Sequence, residues 1–94
     1  MTDKALNVVH NENAKQFEIT VDDHVALAAY DMEDGKIVFT HTEVPPELSG
    51  RGIANQLAKS ALEYARDRKL KVLPQCAFIA SYIKRHDEYA DLLG

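Results

Sequence analysis

Between residues 44 and 53 the hydrophobic period of this chain changes from two to about 3.6, across the stretch Val-Pro-Pro-Glu-Leu-Ser-Gly-Arg-Gly-Ile. Before it, Phe17, Ile19 and Val21 alternate with Gln16, Glu18 and Thr20, the pattern of a half-buried strand. After it, Ile53, Ala54, Leu57, Ala58, Ala61, Leu62 and Ala65 recur at helical spacing, with Gln56, Lys59, Ser60, Glu63, Arg66 and Asp67 on the other side. Pro45 and Pro46 separate the two regimes because neither can donate to a strand ladder. Strands therefore come first and a long helix follows.

Around that switch the remaining elements fall into order. Residues 5–10 and 16–21 read as strands separated by Asn11-Glu12-Asn13, and Asp22-Asp23 turns the chain into a third strand from His24 to about Met32. Val25, Leu27 and Ala29 share one of its faces, and Glu33-Asp34-Gly35 closes it with a hairpin turn. The fourth strand runs from Lys36 to Val44, with Ile37, Phe39, His41 and Glu43 on one face and Val38, Thr40, Thr42 and Val44 on the other. Four strands with short turns predict an antiparallel meander. The helix extends to about Lys69, and residues 71–76 form a fifth strand that the crossover makes parallel to the fourth. A second helix over 78–85 and a turn over 88–93 complete one α/β domain spanning residues 1–94.

A net charge of −4 argues against a binder of duplex nucleic acid, which needs a basic face for phosphates. No apolar run approaches the roughly 20 residues of a membrane span, and Met1-Thr2-Asp3-Lys4 opens neither a signal peptide nor a transit peptide. The single cysteine, Cys76, forms no internal disulfide and fits a reducing, intracellular compartment, cytoplasm or nucleus. His10, His24 and His86 lack partners at metal-ligand spacing, so no metal site is expected.

Gly50-Arg51-Gly52 at the mouth of the helix admits two readings. Glycines can serve the turn alone, with Ser49 capping the helix. They can also let backbone N–H groups at a helix N-terminus approach a phosphate closely. The spacing is neither that of a Walker A loop nor that of the dinucleotide fingerprint, since residue 55 is Asn.

Residues 44–54, Val-Pro-Pro-Glu-Leu-Ser-Gly-Arg-Gly-Ile-Ala, resemble motif A of the GNAT acetyltransferase superfamily, which reads Val-x-Pro and then Arg/Gln-x-x-Gly-x-Gly/Ala. Together with "PQCAFIASYIKRHDEYADLL", the order of elements resembles a small single-domain GNAT-like family over residues 16–94. The resemblance implies a minimal GNAT fold that binds acetyl-coenzyme A and transfers acetyl to an amine, a small polyamine or a lysine-rich peptide. It implies that Gly50, Arg51, Gly52, Ile53 and Ala54, with Asn55, hold the pyrophosphate, and that Ser49 stands where the family has Arg or Gln. It also implies a fourth strand splayed from the fifth, so that Thr42, Glu43 and Val44 form the edge that pairs with the pantetheine arm.

The same resemblance puts Cys76 in the cofactor site, at a helix N-terminus that favours a thiolate, as an acceptor of acetyl. His41 is the expected proton acceptor, with Glu43 as an alternative through a water, and Arg85 beside Lys84 is a candidate contact for the 3′-phosphate. In larger relatives a tyrosine protonates the departing thiolate within Asn-x-x-Ala-x-x-Phe-Tyr. Laying Cys76 on that Asn puts Tyr82 on the Phe and Ile83 on the Tyr, about 100° around the helix from the usual acid. The competing functions are a coenzyme A-binding or adaptor module without catalysis, and an interaction domain without a cofactor.

Overall fold

The computed structural model describes residues 7–94. Five strands, β1 (Val9–Asn11), β2 (Gln16–Val21), β3 (His24–Glu33), β4 (Lys36–Glu43) and β5 (Lys71–Pro74), form one sheet in the order of the sequence. The first four are antiparallel neighbours, and β5 runs parallel to β4. Helix α1 (Ile53–Asp67) makes the crossover, α2 (Ala77–Arg85) follows β5, and a 3₁₀ segment spans Asp87–Leu92. This is the element order and topology that the resemblance implies.

Both short hairpins use paired left-handed residues, Asp22 and Asp23 (φ 49° and 69°) and Asp34 and Gly35 (φ 49° and 77°). Their handedness matches the strand twist, which sets the register of β2 to β3 and of β3 to β4. β1 is displaced from the expected span. It pairs with β2 only over Val9–Asn11, and Asn11 ends it by accepting the Ala14 N–H on its side-chain oxygen at 3.1 Å. The expected residues 5 and 6 lie outside the described chain.

The core forms where α1 lies across β2 and β3. Leu57, Ala58, Ala61, Leu62 and Ala65 are fully buried, as are Ala26 and Ala28 on the sheet. Alanines on both elements let the helix axis come close, and Phe17, Ile19, Ile37 and Phe39 fill the layer beside them. Val25, Leu27 and Ala29 do share a face, but it is the more open side of the sheet; Val25 is 43% exposed.

Strand β4 departs from the expected alternation. Tyr30 pairs with Phe39 while its neighbour Ala29 pairs with His41, so Thr40 is an extra residue in β4 and the ladder carries a bulge there. Adjacent β3 residues face opposite ways, so His41 lies with Ala29 rather than with Tyr30 and Phe39. The expected face of Ile37, Phe39, His41 and Glu43 is therefore split, and beyond the bulge Thr42 takes the side of Ala28.

At the far edge, His10 stacks on Phe17 with ring centroids 4.2 Å apart, and its Nε2 is 2.6 Å from the Tyr30 hydroxyl. Tyr64 closes over it edge-on. Burial holds the imidazole below its ordinary value, opposed by Glu12 and reinforced by Arg68. The unfolded chain therefore binds this proton more readily than the folded one, and the contribution, full above about pH 6.5, is lost as pH falls below that towards the lower folded value. Thermal melts from pH 7.5 to 5 should show a declining melting temperature, with a shallower decline in His10→Gln. An unchanged slope in the variant would remove His10 from the account.

Candidate active site

The chain leaves β4 at Glu43, passes Val44 and Pro45, and makes one 3₁₀ turn over Pro46–Leu48. Leu48 is buried beneath this turn and anchors the loop to the core. Ser49 does not cap α1. Its Oγ donates to the Pro46 carbonyl at 3.0 Å, closing the preceding turn. The residue at the cap is Gly52, which offers no side chain, and the first helical bond runs from Gln56 N–H to the Gly52 carbonyl at 3.1 Å. The amides of the first turn are therefore left without a side-chain acceptor.

Gly50 and Gly52 sit at φ 80° and 74°, in the left-handed region that glycine occupies at no steric cost. A Cβ built on either would meet nothing within 4 Å. The turn explains why glycine is required, and among the described residues no atom fills the volume over it. A cavity of about 300 Å³ opens there, lined by Val44, Leu48, Ser49, Gly50, Gly52, Ile53, Ala54, Asn55 and Phe78.

The second part of the site lies where β4 and β5 part. Their pairing runs from Lys36 with Lys71 to Phe39 with Pro74. One more bond, from Cys76 N–H to the Phe39 carbonyl at 2.9 Å, precedes the turn of the chain into α2. β4 continues to Glu43 without β5 beside it, so that among the described residues no strand pairs with its edge on that side. Cys76 is the cap residue of α2 rather than part of β5, is 7% exposed, and has its Sγ 3.3 Å from Thr42 Oγ1.

The structure thus gathers Val44, Ser49, Gly50, Gly52, Ile53, Ala54 and Asn55 around one cavity, and joins Thr42 to Cys76 across the divergence of the strands. Arg51 is exposed in the loop and outside the cavity lining, and Arg85 is exposed in the last turn of α2. His41 and Glu43 pair with each other, Nε2 to Oε2 at 3.2 Å, and are 54% and 65% exposed. The bulge turns both away from the side that carries Thr42. Leu48 and Phe78 were absent from the sequence expectation. Phe78 had a signal, an aromatic in the first turn of the helix that begins after Cys76.

Tyr82 belongs to the core. It stacks on His86 with centroids 4.0 Å apart and lies 6.1 Å from the Tyr89 ring, and burial, more than Glu88 or Glu63, raises its phenol above the ordinary value. No helix among the described residues is long and apolar enough to cross a membrane.

Comparison with known proteins places this geometry. A family model described as GCN5-related N-acetyl-transferase matches residues 16–92. Protein NATD1 of Mus musculus is 34% identical over 84 residues, covering 86% of this chain and 76% of that protein. Protein NATD1 of Danio rerio is 33% identical over 91 residues, covering 92% and 83%. An NMR structure of a GCN5-like protein from Staphylococcus aureus, described as a candidate N-acetyltransferase, superposes with a TM-score of 0.75 at 29% identity, covering 95% of this chain and 88% of that one.

Proposed function

This chain belongs to the GCN5-related N-acetyltransferase family, and from that premise we propose that it binds acetyl-coenzyme A at the glycine loop and passes the acetyl group to an amine through Cys76. One observation carries the reading: the uncapped start of α1 opens, through two left-handed glycines, onto a cavity that no side chain among the described residues fills. Amides at a helix N-terminus and the helix dipole favour a pyrophosphate. Gly50, Gly52, Ile53, Ala54 and Asn55 hold it, with Ser49 and Arg51 at the rim. The pantetheine arm runs along the free edge of β4 at Thr42, Glu43 and Val44, which brings the thioester towards Cys76. Arg85, exposed at the end of α2 and away from the cavity lining, is kept for the 3′-phosphate rather than the pyrophosphate.

In the transfer, the Cys76 thiol gives up its proton to solvent and its sulfur attacks the thioester carbonyl. The bond to the coenzyme A sulfur breaks, and that sulfur leaves and takes up a proton. A neutral amine then attacks the acetyl-cysteine, releasing the amide and restoring the thiol. His41, backed by Glu43, accepts the proton that the acceptor ammonium must lose. Because His41 lies on the opposite face of β4 from Thr42, its task is the amine rather than the thiol. The exposed carboxylate of Glu43, on a chain of net charge −4, suits a cationic acceptor such as a polyamine or a lysine-rich peptide.

One observation favours a binding or adaptor module instead: among the described residues, the thiol has a hydroxyl beside it and no bonded base. Native mass spectrometry with acetyl-coenzyme A, followed by thiol release with a panel of amines, separates the alternatives. The expected result is one bound cofactor and release above background with a polyamine or lysine peptide. Binding without release would leave the module, and no binding would end both readings.

A further inference from the structure

Cys76 and Thr42 are 34 residues apart and reach each other only because of two local events. The bulge at Thr40 turns Thr42 to the side on which Cys76 lies, and the pairing of β5 with β4 ends at Phe39 and Pro74, so the two chains part beneath the contact. We propose that Thr42 is the positioning residue of the Cys76 sulfur: its hydroxyl fixes the side chain at the mouth of the gap and supports the sulfur when it carries charge. The proposal deepens the acetyl-transfer reading above and rests on Cys76 being the group that receives acetyl.

The chemistry of the pair supplies the direction. While the sulfur is protonated, either atom can donate to the other at 3.3 Å. Once the proton has left, only the hydroxyl can donate, and a hydrogen bond to a charged group is stronger than one between neutral groups. The contact therefore strengthens as the nucleophile forms. The α2 cap gives the sulfur no other fixed geometry, since Cys76 makes no side-chain bond to the helix amides. Thr42 is itself held by its pairing with Ala28 on β3.

The test reads the thiol directly, without cofactor or amine. Alkylation of Cys76 by iodoacetamide at pH 7.5 is followed by intact mass in the wild type, Thr42→Val and Thr42→Ser. Thr42→Val keeps the shape and loses the hydroxyl, and should react roughly tenfold more slowly. Thr42→Ser keeps the hydroxyl and should stay within about twofold of the wild type. A Thr42→Val rate equal to or above the wild type overturns the proposal, and so does a Thr42→Ser rate as slow as that of Thr42→Val, which would make the methyl the important group. If the valine variant melts early, Thr42→Ala takes its place beside Thr42→Ser: a slow alanine and a fast serine support the proposal, and any other order overturns it. Coenzyme A binding to the wild type, measured alongside, keeps the failures apart: its absence sinks the cofactor reading and leaves the alkylation result to judge Thr42 alone.

Discussion

Replacing Asn55 with aspartate should weaken coenzyme A binding by about thirtyfold while leaving the melting temperature unchanged or higher. The two effects have opposite signs for one reason. Asn55 is the third residue of α1 and lines the cavity over the glycine loop. A carboxylate in the first turn of a helix interacts favourably with the dipole and with free amides, so the fold gains a few tenths of a kcal/mol or more. The same carboxylate competes for the amides assigned to the pyrophosphate and repels it, at a cost on the order of 2 kcal/mol for like charges at a partly solvated site. Calorimetric titration beside a thermal melt checks both. Weaker binding in a destabilised protein would point to general damage. Unchanged binding would move the phosphate elsewhere and reduce Gly50 and Gly52 to turn residues.

That prediction uses a position that the resemblance to motif A assigns, whereas much of the framework was legible in the residues themselves. β2 alternates cleanly, Asp34-Gly35 has the chemistry of a tight hairpin, and α1 carries its apolar stripe over fifteen residues. Each signal is local, and local physics decides each element. The cap of α1 was harder to read because Ser49 is a better capping residue than Gly52, yet the turn over Pro46–Leu48 takes its hydroxyl. The bulge at Thr40 leaves no trace in the pattern, because β4 carries polar residues on both faces past Phe39 and the slip exposes nothing apolar. Undisturbed alternation puts His41 on the face of Phe39, and only the bulge moves it to the side of Ala29. The Thr42–Cys76 contact combines that bulge with a crossover, so it depends on tertiary geometry that no short window contains.

Replacing Cys76 with alanine should lower amine acetylation by at least about a hundredfold while coenzyme A stays bound, because the alternative route lacks a group it needs. Direct attack by the amine requires an acid for the departing coenzyme A thiolate. Tyr82 does not fill that role, since its ring is packed into the core against His86 and Tyr89, and the residue one position further along α2 is Ile83. A cysteine route makes a smaller demand, exchanging one thioester for another of similar energy. Acetyl retained on the wild type under denaturing conditions, absent from Cys76→Ala, and chased off by amine at the turnover rate would identify the intermediate. Turnover in Cys76→Ala within about fivefold of the wild type would make the sulfur a packing group beside Thr42. The amine would then meet the thioester from the His41 and Glu43 side of β4, with water as the proton source for the thiolate and backbone amides near the end of β5 polarising the carbonyl.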